Sequence, residues 1–207
     1  MTSPVELRKR IVSRCRRVVL KAGTRLLTSR EAICRLAEQI AKLRDTGVEV
    51  IFVSSGAVGV AMKSLGLKKR PRHLSEVQSL AAIGQVHLMS LYEEEFQKHG
   101  RRIAQLLLTA DDLRARARYL NAVNCLETLL SHGVIPIINE NDTVAVEEIV
   151  FGDNDTLSAL VARIVRADAL IILTDIDGLH EENPRVNPNA KLIPVVEEIT
   201  PHLREIA

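Results

Sequence analysis

Five short apolar runs, each breaking off into polar or small residues and each separated from the next by a helical pattern, constrain this chain more than any other feature. The runs are Arg17–Lys21, Glu49–Val53, Arg102–Leu108, Val134–Ile138 and Ala169–Leu173. Between Ser29 and Asp45, apolar residues return at helical spacing through Ile33, Leu36, Ala37, Ile40 and Leu43, and Gly47 ends the tract. A second helical segment starts at Ala57. Ser75–Lys98 reads as a long helix interrupted near Gly84, and Thr109-Ala110-Asp111-Asp112 has capping-box spacing and opens a tract reaching Leu130. Thr156–Arg166 is helical again. Strand and helix alternating in this way predict an α/β fold with a mostly parallel sheet covered on both faces. At 207 residues the chain is long enough for one well-buried domain. Aromatics make up only 2% of it, so the core must be Leu, Val, Ile and Ala.

The same composition excludes several function classes. Scarce aromatics argue against base stacking on single-stranded nucleic acid, and a net charge of +2 implies no polyanion partner. Two basic runs stand out: Arg8, Lys9, Arg10, Arg14, Arg16 and Arg17, then Lys68, Lys69, Arg70 and Arg72. No helix-turn-helix, zinc or RNA-binding signature accompanies either, so a solvated extension over residues 1–16 and an exposed loop are the simpler reading. Three scattered cysteines without CxxC spacing fit a reducing compartment and no disulfide frame. No apolar run approaches the ~20 residues of a membrane span, and the N-terminus has no signal-peptide core. The expectation is a cytoplasmic protein without nucleic-acid or membrane partners. Six scattered His make no metal centre. Ser55 is not in a GxSxG elbow, which excludes a serine hydrolase of that type. Residues 180–207 carry Pro184, Pro188, Pro194 and Pro201 and read as short elements and loops.

Polar strand ends recur at Lys21–Thr24, Ser54–Ala57, Asn139–Asp142 and Thr174–Gly178, and a parallel sheet collects such ends on one edge. The densest of them follows Val134–Ile138, where Asn139, Glu140, Asn141 and Asp142 precede Glu147, Glu148, Asp153 and Asp155 with no Lys or Arg between Asn139 and Asp155. Helix capping by Asp153 and Asn154 would explain one of these acids, whereas a ligand site explains the clustering. Lys21 ends the first run and Gly23 follows. On that motif alone a lysine snorkelling to solvent is the simpler reading, though backbone N–H groups at a Gly turn also make an anion nest. One cation, two Gly turns and an acid cluster together suit phosphoryl transfer, which rests on positioning and charge neutralisation.

The pieces VVLKAGTRLLT, VSSGAVGVAMKSLGL, AAIGQ, NENDTVAVEEIVFGDNDTLSALVA and LTDIDGL resemble, in order and from about Arg17 to the end, the bacterial glutamate 5-kinase family of the amino acid kinase superfamily. The resemblance implies a three-layer α/β/α sandwich, ATP with Mg2+, and phosphorylation of the side-chain carboxylate of L-glutamate on the way to proline. It implies that Lys21 neutralises the transferring phosphoryl group and that Asp155 orients this lysine. Gly23 and Gly56 would offer backbone donors to phosphate oxygens. Asp142 would pair with the α-ammonium of glutamate, Ser55 and Asn154 would bond its polar ends, and Thr174 and Asp175 would contact the nucleotide. Proline feedback and a homo-oligomer come with the resemblance alone.

Members of that family carry a further Gly-rich segment, GTGGMxTK, beyond the position where this chain ends. Residues 17–207 would therefore hold the amino-acid lobe and the start of the nucleotide lobe of a C-terminally truncated kinase domain. Two alternatives stay open: a relative acting on aspartate, carbamate or uridylate, and a non-catalytic sensor of glutamate or proline. An acid cluster would repel a phosphate acceptor, which disfavours the uridylate case.

Overall fold

A computed structural model describes residues 3–27, 29–144 and 154–206. The chain divides into two compact units, Cys15–Leu173 and a smaller one formed by Met1–Arg14 with Thr174–Ala207. In the larger unit five parallel strands, β1 (Arg17–Ala22), β2 (Glu49–Val53), β3 (Ile103–Leu108), β4 (Ile135–Glu140) and β5 (Ala169–Leu173), lie in the order β3-β4-β2-β1-β5. Their carboxyl ends therefore share one edge, with β4, β2 and β1 side by side.

Side chains of a strand alternate between faces, and the two cores follow that parity. Val18, Leu20, Val50, Phe52, Ile135 and Ile137 meet α2 (Arg30–Asp45), α3 (Ala57–Ser64) and α4 (Leu74–Gln97). Val19, Ile51, Val53 and Ile138 meet α5 (Ala110–Arg114), α6 (Arg116–Ser131) and α7 (Asp155–Ile164). The result is the expected three-layer α/β/α arrangement. At the opposite edge, Arg17 anchors the amino end of β1. Its guanidinium donates to Glu49 at 2.7 Å, to Glu127 at 2.5 and 2.9 Å and to the Val165 carbonyl at 2.7 Å.

Two expectations need correction. The tract from Thr109 is two helices, because Ala115 adopts an extended conformation (φ −76°, ψ 115°) between them. The capping box itself is present, with the Thr109 hydroxyl accepting from the Asp112 N–H. Gly84 does not interrupt its helix either, for α4 runs unbroken through it. Glycine is there because a Cβ would stand 1.7 Å from the carbonyl oxygen of Ala57, the first residue of α3. The close approach of α4 thus falls on the first turn of α3.

In the smaller unit a nine-residue helix, α1 (Pro4–Val12), lies within the basic extension. Ser3 and Glu6 close its capping box. A short antiparallel bridge joins His180 to Leu192, and α8 (Pro201–Ile206) follows. Among the described residues no helix is long and apolar enough to cross a membrane.

Gly84→Ala should cost about 1–3 kcal/mol by overpacking and lower Tm by roughly 3–10 °C; an unchanged Tm would contradict the α3–α4 contact. A second clamp on α4 is Glu95, 1% exposed and paired with Lys98 at 2.6 Å and Arg30 at 3.1 Å. Chiefly the Lys98 hydrogen bond holds its carboxyl below the ordinary 4.5. A depressed native pKa stabilises above the unfolded value and ceases to as pH falls through the native one. The Tm gap between the parent chain and Glu95→Gln should therefore be open at pH 7 and close below about pH 4. A gap independent of pH would remove the carboxylate from the explanation.

Candidate functional site

Strand parity sends Lys21 to the Val19 face, against α7, and there its ammonium meets the Asp155 carboxylate at 2.5 Å. Lys21 is 8% exposed, so the snorkelling reading is corrected: the lysine stays inside because its counter-charge lies at the first residue of α7. A Cβ at Gly23 would touch Nζ at 3.6 Å, so glycine leaves that side of the ammonium uncovered. Gly56, at φ 101°, caps the N-terminus of α3 in a backbone region that favours glycine.

One residue before Asp155, Asn154 occupies the N-cap position of α7 without making a side-chain cap hydrogen bond. Its amide turns inward. The nitrogen lies 2.5 Å from the Ser54 carbonyl, 2.9 Å from the Ser55 hydroxyl and 2.8 Å from Asn139 Oδ1. Capping therefore does not account for Asn154. The turn it holds is fixed from other sides as well: Ser54 N–H donates to the Ile138 carbonyl at 2.8 Å, and the Ser54 and Tyr92 hydroxyls share a 2.8 Å hydrogen bond. Burial pushes the Tyr92 phenol well above its ordinary pKa, more than the Ser54 contact lowers it.

The Asn139 side-chain oxygen also accepts from the Glu140 N–H at 2.9 Å, while its nitrogen donates to Gln85 Oε1 at 2.8 Å. Glu140 is buried. Asp142 is half-buried and lines a cavity of about 270 Å3 with Gln85, Asn141 and Thr143 among others. Sequence reasoning carried Gln85 only as the last residue of the AAIGQ piece and gave it no role. A signal was there, since it lies four residues after Ala81 and three before Leu88, both buried, on the inward stripe of α4.

Among the residues singled out from sequence, Lys21, Ser55, Gly56, Asn154 and Asp155 thus gather at the carboxyl edge of the larger unit, next to Gly23 in the chain. Asp142 follows β4 on the same edge. Thr174 and Asp175 belong to the smaller unit, where Asp175 pairs with Arg185 at 2.7 Å and both line a cavity of about 370 Å3. Glu147, Glu148 and Asp153 lie outside the described residues. Chemically, the edge offers a fixed cation, a network of neutral amides and hydroxyls, and acids beside a cavity. That combination can hold a zwitterion and face an anion.

A model of the amino acid kinase family matches residues 16–202. The chain is 52% identical over 207 residues to a glutamate 5-kinase of Geobacter sulfurreducens, covering 97% of this chain and 56% of that one. With a glutamate 5-kinase of Deinococcus radiodurans the identity is 55% over 197 residues, 92% and 54% of the two chains. The chain spans about half the length of the curated relatives it matches. Among solved structures, an aspartate kinase from Synechocystis superposes with a TM-score of 0.56 at 18% identity, over 86% of this chain and 31% of that one, which supports the fold.

Asn154→Ala removes the buried donor that meets the Ser54 carbonyl, the Ser55 hydroxyl and Asn139 Oδ1, of which the last keeps the Glu140 N–H. It should cost about 1–3 kcal/mol, read as a lowered midpoint in urea with an unchanged slope; an unshifted midpoint would show that the amide does not hold the turn.

Proposed function

The chain belongs to the amino acid kinase family, and from that membership we propose that it forms the amino-acid-binding part of a kinase that phosphorylates the side-chain carboxylate of L-glutamate with ATP, yielding L-glutamyl 5-phosphate at the first step of proline biosynthesis. The glutamate 5-kinases to which it is about half identical support the acceptor. The observation that carries the reading is a pair of neighbours at the start of α7: Asn154 reaches the Ser54–Ser55 turn and Asn139, while Asp155 grips Lys21. One helix end thereby ties the acceptor's residues to the cation that faces the phosphoryl group.

In the reaction a γ-carboxylate oxygen of glutamate attacks the terminal phosphorus of ATP, and the bond to the ADP oxygen breaks. Negative charge spreads over the transferring oxygens, and Lys21, held in place by Asp155, offsets it. Backbone N–H groups at Gly23 and Gly56 serve phosphate oxygens. Ser55 and Asn154 bond the polar ends of glutamate, and Asp142 balances its ammonium. Thr174 and Asp175 contact the nucleotide. Mg2+ would arrive with the nucleotide and offset charge on its phosphates. Residues 17–207 make up the kinase domain as far as this chain carries it, behind a basic extension of residues 1–16. Proline, which shares the α-carboxylate and a cationic nitrogen with glutamate, is the fitting feedback ligand. A homo-oligomer in the cytoplasm completes the reading.

Titration of the chain with L-glutamate, L-aspartate and L-proline, followed by thermal shift and calorimetry, tests this. Glutamate should stabilise the chain more than aspartate, and Asp142→Asn should weaken glutamate binding by about tenfold or more, because the ammonium loses its counter-charge. Equal responses to glutamate and aspartate, or unchanged affinity in Asp142→Asn, would overturn the assignment.

A further inference from the structure

The least accounted-for polar group at this edge is the side-chain nitrogen of Gln85, buried and without a hydrogen-bond partner among the described residues. Its orientation follows from an unambiguous donor. The backbone N–H of Glu140 can only donate, so the atom of Asn139 it meets at 2.9 Å is the oxygen. The Asn139 nitrogen then faces Gln85 at 2.8 Å, and Gln85 must present its carbonyl there. Both N–H bonds of the Gln85 amide are left over.

Buried donors are rarely left unmade unless something outside the fold completes them. Orienting Asn139 requires only an acceptor at position 85, which a carboxylate would supply equally well. The surplus is the NH2 group, and Gln85 lines the cavity of about 270 Å3 that also holds Asp142, Asn141 and Thr143. Among the described residues that line it, the cavity has the acids Glu140 and Asp142 but no lysine or arginine. An α-amino acid brings an ammonium and a carboxylate on one carbon; the ammonium suits Asp142, and the carboxylate needs a donor close by.

We propose that Gln85 is a specificity-determining residue whose side-chain NH2 donates to the α-carboxylate of the bound amino acid. The proposal rests on the glutamate reading above and adds a recognition element for the invariant end of the substrate. Together with Asp142, Gln85 would select α-amino acids over plain dicarboxylates, and Asn139 would link that recognition to Asn154.

The test is calorimetric titration of the chain and of Gln85→Glu with L-glutamate and with L-glutamate α-amide, in which the α-carboxylate is replaced by a carboxamide. Gln85→Glu keeps an acceptor for Asn139 and so should melt near the parent, but it presents an oxygen where the donor was. It should lose glutamate affinity by about tenfold or more, the worth of a hydrogen bond to a charged group, and gain relative affinity for the α-amide. Gln85→Met, which lacks both atoms, should lose the preference between the two ligands and serves if the glutamate variant does not fold. An unchanged ratio of the two affinities in both variants would reduce Gln85 to a support for Asn139 and overturn the proposal while leaving the glutamate reading intact. No binding of glutamate by the parent chain would overturn both.

Discussion

The carboxyl edge depends on what the first turn of α7 does with two adjacent polar side chains. Asp155 closes on Lys21 at 2.5 Å and Asn154 reaches across to Ser54, Ser55 and Asn139. A buried lysine without a counter-charge is expensive to desolvate, so the Lys21–Asp155 contact makes the strand end tolerable and also fixes where the cation stands. Asp155 lies at a helix N-terminus, where the axial dipole further favours a carboxylate. The same turn therefore serves folding and charge placement together.

A second constraint reaches the edge through the opposite layer. At Gly84, α4 comes close enough to the Ala57 carbonyl to leave no room for a Cβ, and two turns further on Tyr92 takes the Ser54 hydroxyl at 2.8 Å. The Ser54–Gly56 turn is consequently held by α4 on one face of the sheet and by Asn154 of α7 on the other. Neither layer alone defines it, which explains why so short a loop is so buried. Preorganisation of this kind spares a ligand the cost of ordering the loop.

Strands were legible because their apolar runs are short and sharply bounded, and helices because their apolar spacing is regular. Gly84 misled because glycine reads as a breaker in a helical pattern, while its reason is a helix contact that local sequence does not display. Lys21 misled for a similar reason: its partner Asp155 lies far down the chain, and only strand parity plus the placement of α7 brings them together. Asn154 drew notice through clustering, yet its refusal to cap its own helix depends on acceptors supplied by β2 and β4. What local pattern conveys is the element; what it omits is the partner from another element.

The division of labour between charged and neutral groups has a physical logic. Gln85, Asn139, Asn154, Ser55 and Ser54 pass hydrogen bonds along an uncharged chain from α4 to α7, and none of these groups titrates near neutral pH. Among the described residues the charges at the edge are few: Lys21 with Asp155, and Asp142 and Glu140 lining the cavity. Geometry held by amides survives changes in pH and salt that would loosen ion pairs. An edge built in this way keeps its framework neutral and confines its described charges to two places, the Lys21–Asp155 contact and the acids at the cavity.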